Sequence, residues 1–221
     1  MEISNKEVIR YLGYRGAAAD ERTASLVTEL IDLFTANVVP KSVYGVWDCQ
    51  VNTSEVTLGG MTVHSQNLAG HLAGCRRAVL LAATLGAEAD TLIRRFSVQD
   101  MEKAVVAQAV CAAMIEAYCD TIEVELAQRP EFDGLHPTAR FSPGYGDFDI
   151  AHQKDILNML NSRRIGLTLT EGYMLVPSKS VTAVIGFSPG KRCAEGRLAT
   201  VVAAEKCERC ADTQCRFRKA V

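Results

Sequence analysis

Several things are scarce in this sequence, and each scarcity narrows what the chain can be. No uncharged apolar run approaches the roughly 18 residues needed to cross a bilayer; the longest, Ala78–Ala87 and Ala104–Ile115, stop short. Neither sign of charge predominates. The 24 Lys and Arg against 26 Asp and Glu leave a formal net charge of −2, no field for holding a polyanion, so neither a membrane nor nucleic acid is the expected partner. The opening Met1-Glu2-Ile3-Ser4-Asn5-Lys6-Glu7 has neither the basic start nor the apolar core of a secretory signal, and the expected location is the cytoplasm. No Gly-x-Gly-x-x-Gly follows a strand, which removes support for a Rossmann-type fold. No serine sits in an elbow motif, so hydrolase chemistry is unsupported. His64, His71, His136 and His152 make no metal-like spacing.

Cysteine, by contrast, is plentiful at eight residues. In a cytoplasmic chain of this length that points away from a disulfide framework and toward core thiols and metal ligands. Cys49, Cys75, Cys111 and Cys119 sit singly among apolar neighbours and read as small core residues. Cys193, Cys207, Cys210 and Cys215 differ: they form a Cys-x13-Cys-x2-Cys-x4-Cys series in the last stretch, among Lys206, Arg209, Arg216 and Arg218. A Cys-x2-Cys pair brings two thiolates to one metal, and neighbouring positive charge favours thiolate over thiol. Zinc and an iron–sulfur cluster both fit four such ligands.

The periodicity predicts a mixed chain. A helix capped by Asp20 carries Leu26, Leu30 and Leu33 at helical spacing and ends before Pro40. The segments 43–51 and 55–63 read as strands, the second broken by a turn at Gly59-Gly60. Ser65 caps a short helix, 77–85 reads as a buried strand, and helices follow over 87–95 and 100–126. A loop spans 131–147, then a helix over 149–162 and strands over 166–176 and 180–187. Hairpin-like strand pairs between helices indicate an α+β fold with a largely antiparallel sheet. Residues 1–190 read as one domain and 191–221 as a cysteine-rich tail.

The most informative stretch is Arg140-Phe141-Ser142-Pro143-Gly144-Tyr145-Gly146-Asp147. Proline and glycine fix a tight turn with little entropy to lose. Arg140 offers a planar fork for a carboxylate, and Tyr145 a flat ring for an adenine or a sulfonium. The residues alone fit equally a surface turn in which Arg140 makes an ordinary ion pair.

The order Arg140-x-x-Pro143-Gly144-Tyr145, then Leu167-Thr168-Leu169-Thr170-Glu171, then Pro177-Ser178-Lys179-Ser180-Val181 resembles the activation (reactivation) domain of vitamin B12-dependent methionine synthase, over about residues 105–187. Arg10-Tyr11-Leu12-Gly13-Tyr14 and Ala82-Ala83-Thr84-Leu85-Gly86 resemble short, stand-alone members of that family. The resemblance implies a C-shaped α+β fold around a twisted antiparallel sheet. It implies S-adenosylmethionine binding in a groove, with Arg140 on the methionine carboxylate, the Pro143-Gly144-Tyr145 backbone at the adenosine, and Glu116 near the ligand. Glu116 lies in an otherwise apolar helical patch and needs a partner, either the ligand's cationic groups or an internal salt bridge. The tyrosine that the full-length family places after the Ser-Val strand is missing; by counting, its position falls at or beside Cys193.

The resemblance implies a reactivation component that serves a separate cobalamin-binding methionine synthase, since nothing in the chain resembles the folate, homocysteine or cobalamin modules. The partner's cobalamin would be reduced by one electron from an external donor and remethylated from S-adenosylmethionine. No side chain is assigned to catalysis, because methyl transfer needs no proton abstraction. The electron requirement favours an iron–sulfur cluster over zinc on the tail. The alternatives are a metal-binding interaction module and an activator of another corrinoid methyltransferase.

Overall fold

The computed structural model describes residues 1–14 and 19–189. The cysteine-rich tail, with Cys193, Cys207, Cys210 and Cys215, therefore lies outside the described residues. In chain order the elements are helices α1 (Asn5–Tyr11) and α2 (Glu21–Asn37), strands β1 (Lys41–Val51), β2 (Glu55–Leu58) and β3 (Met61–His64), and helix α3 (Gln66–His71). Then come β4 (Arg77–Thr84), α4 (Ala87–Gln99), α5 (Met101–Ala127), β5 (His136–Pro137), α6 (Gln153–Leu160), β6 (Thr168–Leu169), β7 (Leu175–Val176) and β8 (Ser180–Ser188).

Caps expected from the sequence set the helix starts. Asp20 accepts from the Thr23 amide, Ser65 from Leu68 and Asp100 from Lys103, each satisfying a donor that the first turn leaves unpaired. Asp100 also ends α4, its amide bonded to the Phe96 carbonyl, so α4 and α5 abut with no loop between them. α1 is not evident from the periodicity; its seven residues carry a single buried side chain, Val8.

The main sheet has the order β3-β2-β1-β4-β8-β5, and every pairing is antiparallel. β4 lies at its centre between β1 and β8 and is covered on both faces, which is why it reads as an unbroken apolar run. Val79, Leu81 and Ala83 point into one cluster with α2, α4 and α5; Ala78, Leu80 and Ala82 point into another with α3 and α6. All six are fully buried, and burying each Val or Leu contributes about 1.5–3 kcal/mol. Phe187 of β8 stacks on Phe132, ring centroids 3.7 Å apart, and closes the first cluster beneath α5.

Among the described residues α5 is the one helix that by length and composition would pass for a membrane span, yet 56% of its most apolar window is buried inside the fold. It is the core helix, packed on α1, α2 and α4.

Two expectations are corrected. The helix expected over 149–162 is confined to α6: its first turn is a 3-10 turn at Ile150–His152, and Asn161, at φ 49°, ends it in left-handed geometry. The strand expected over 166–176 is instead a small hairpin, β6 against β7. The Thr170 hydroxyl accepts from the Met174 amide, and the Thr170 amide donates to the Met174 carbonyl, closing a turn through Glu171-Gly172.

Candidate functional site

The 140–147 loop is positioned from both ends. Phe141 exchanges two backbone hydrogen bonds with Val184 of β8, at 2.9 and 2.8 Å, extending the sheet edge begun by β5. At the far end Asp147 accepts from the amides of Gln66 and Asn67, at 2.8 and 3.1 Å, and from the Ser65 hydroxyl. These bonds, that of Ser65 first, hold the Asp147 carboxyl below its ordinary pKa. Between the ends, Gly144 donates to the Phe148 carbonyl at 2.7 Å and Tyr145 to Ser142 at 3.0 Å. Gly144 takes φ 92°, which a side chain at this turn would strain. Beneath the loop Phe141 packs between His71, Tyr145 and Phe148.

The loop and α5 enclose a cavity of about 210 Å³, lined by Glu116, Arg140, Ser142, Pro143 and Tyr145 on one side. Gln153, Leu175, Ser180, Val181 and Thr182 line the other. Of the five ligand-site residues nominated from sequence, Glu116, Arg140, Pro143 and Tyr145 thus share one cavity, and Gly144 lies within the same turn. Pro143 is buried and Tyr145 half exposed at the mouth. Burial of its hydroxyl and the charge of Glu116 raise the Tyr145 pKa, against the influence of Arg140. A larger groove, about 700 Å³, runs between α6 and the β6–β7 hairpin and holds none of the nominated residues.

Arg140 has more partners than its sequence context indicates. Its Nη2 lies 2.7 Å from Glu116 Oε2 and 2.8 Å from Asp120 Oδ1, and its Nη1 lies 2.5 Å from Glu123 Oε1. Burial opposes the charged guanidinium, but the carboxylates, Glu123 foremost, outweigh it and raise its pKa. Glu116 therefore has the internal partner that was one of its two readings. Asp120 and Glu123 escape the sequence reading, although with Glu116 they make an i, i+4, i+7 stripe of acids along one face of α5. Gln153 escapes it too. Nearly buried, it accepts from the Thr182 hydroxyl at 3.3 Å and donates to the Tyr173 carbonyl at 3.2 Å, tying cavity floor to hairpin.

The Pro177-to-Val181 motif also falls here. Ser178 donates twice to Asp90, at 2.8 and 2.6 Å, while Ser180 and Val181 reach the cavity. The four described cysteines are buried and free. Burial pushes the Cys49 thiol up to about 11 and those of Cys111 and Cys119 to about 12, so they stay protonated core thiols. Among the described residues no group of His, Cys, Asp and Glu side chains is arranged to hold a metal.

Residues 75–193 match the family described as vitamin B12 dependent methionine synthase, activation domain. That span is more than half of the chain, which therefore belongs to this family. Among solved structures, the crystal structure of the MetH reactivation domain bound to AdoHcy superposes with a TM-score of 0.60 at 15% sequence identity. The match covers 88% of this chain and 79% of that one. The shared fold is the antiparallel sheet flanked by helices. No curated protein matches the chain.

Proposed function

We propose that this protein binds S-adenosylmethionine in the cavity between α5 and the 140–147 loop and serves the reductive remethylation of cobalamin on a separate cobalamin-dependent methionine synthase. One observation carries the reading: Glu116, Arg140, Pro143 and Tyr145, from two elements, line a single cavity whose floor is β8. The AdoHcy held by the MetH reactivation domain supports the same ligand class here. The corrinoid, when bound on the partner, supplies the cobalt that takes one electron and then the sulfonium methyl.

This chain's contribution is orientation. The fixed loop offers backbone groups and the Tyr145 ring to the adenosine end, and Arg140 with Glu116 offers both charge signs to the amino-acid end. No side chain needs to move a proton. We further infer that Cys193, Cys207, Cys210 and Cys215 ligate an iron–sulfur cluster, or else zinc. The support is their spacing, together with the inert burial of the other four cysteines. The cytoplasm is the proposed location.

Calorimetric titration of anaerobically purified protein with S-adenosylmethionine, with and without a cobalamin-loaded methionine synthase, tests the reading. Saturable binding is expected, along with a broad brown absorbance from the tail. No binding in either mixture would leave a corrinoid-associated interaction module as the better account.

A further inference from the structure

Gln153 is a polar side chain on an apolar face. It opens α6, and Ile156, Leu157 and Leu160, spaced three, four and seven residues on, are all buried. The face that carries them inward carries the amide inward too. Only 7% of Gln153 is exposed, and it lines the cavity. Chemistry fixes which way its amide points. The Tyr173 carbonyl can only accept, so the atom 3.2 Å from it is Nε2, and Oε1 takes the Thr182 hydroxyl at 3.3 Å. These two bonds use one of the amide's two N–H donors and one of its oxygen's two lone pairs. One donor and one acceptor are left over in the cavity wall, and a buried amide is costly to leave half used.

The surroundings narrow what can use them. Leu175, Ser180, Val181 and Thr182 complete this side of the cavity, and none carries a charge, whereas Arg140 and Glu116 line the other side. A neutral, partly apolar wall with one amide suits a flat heterocycle; the charged wall suits an amino acid's carboxylate and ammonium. We propose that Gln153 is a specificity-determining residue that reads the base of the nucleoside ligand: its amide donates to a ring nitrogen of adenine and accepts from the exocyclic amino group. The inference rests on the S-adenosylmethionine reading above. An amide and the adenine edge are complementary, each presenting a donor beside an acceptor. Hypoxanthine carries an oxygen in place of the amino group and so offers an acceptor where Gln153 Oε1 needs a donor. A free glutamine would turn its amide over to meet it; the Tyr173 carbonyl holds Gln153 the other way.

The test is a set of calorimetric affinities for S-adenosylhomocysteine and S-inosylhomocysteine, identical but for the base, in the full-length protein and its Gln153→Met variant. Wild type is expected to prefer the adenine ligand about tenfold or more. Gln153→Met, similar in volume and without the amide, should bring the ratio near one by weakening the adenine ligand and sparing the hypoxanthine ligand. A merely structural role for Gln153 would weaken both ligands equally and keep the wild-type ratio, which would overturn the proposal. Equal affinities in the wild type would overturn it with no variant needed; ribose hydroxyls, which donate and accept alike, would give that result if the amide met them instead. Failure of the wild type to bind either ligand would overturn the S-adenosylmethionine reading and this proposal with it.

Discussion

Arg140 and Glu123 meet at 2.5 Å, with the Glu123 side chain only 6% exposed. Removing the arginine would take a charged partner from a nearly buried carboxylate, a loss on the scale of a broken buried ion pair. Arg140→Ala should therefore cost about 3–5 kcal/mol in chemical denaturation. It should also weaken S-adenosylmethionine binding by about 1.5–3 kcal/mol. Adding Glu123→Gln to that variant should recover at least about 1 kcal/mol of stability and none of the binding. Full stability in Arg140→Ala would mean that the pair is not the anchor described.

Asp147 ties the loop to α3, and its stabilisation depends on pH. Its folded pKa is depressed, chiefly by the Ser65 hydroxyl, so its contribution is complete above the ordinary aspartate range and lost as pH falls through the lower folded value. Asp147→Asn should have a lower Tm than wild type from about pH 5 to 7, with the gap closing on acidification below the ordinary aspartate range. A gap independent of pH would assign the effect to shape rather than charge.

Gln153 is the polar tie between the cavity floor and the β6–β7 hairpin. Gln153→Leu leaves the Thr182 hydroxyl and the Tyr173 carbonyl without this partner, at about 1–3 kcal/mol. Faster hydrogen exchange over residues 168–176, with β4 still protected, is the expected signature.

Gly59 takes φ 56°, and a Cβ there would stand 2.6 Å from Trp47 Cδ1 and 3.0 Å from Met159 Cε. Gly59→Ala should cost at least about 1–2 kcal/mol for the left-handed backbone alone. It should also shift the emission of Trp47, the single tryptophan in the chain.

Much of the architecture was legible because its determinants are local. Asp20, Ser65 and Asp100 announce helix starts by side-chain chemistry, and Gly59-Gly60 marks its own turn. The continuous run at β4 betrays a strand buried on both faces. The 166–176 segment misled because Leu167, Leu169 and Leu175 keep a strand-like pattern. The turn between them is made by the Thr170 hydroxyl and by Tyr173 at φ 59°, which composition does not reveal. At the site, the Arg140–Tyr145 motif carried its own signal. The partners of Arg140 lie 17 to 24 residues away, and only the folding of the loop against α5 decides which acids reach it. Gln153 could not be singled out either, since its role exists only once α6, β8 and the hairpin meet.

Strand β8 has a double duty that bears on where this molecule can change. Ser180, Val181 and Thr182 form the cavity floor, and the next residues of the same strand, Ala183 to Phe187, are locked between β4 and the loop. Substitutions on the floor act on the unfolding equilibrium as much as on the ligand. The rim at Glu116 and Tyr145 is partly solvated and can be altered without disturbing the sheet. Tolerance to mutation is thus divided across the cavity, and a library randomised at the rim would yield folded proteins of altered ligand preference, whereas one randomised at the floor would yield mostly unfolded chains.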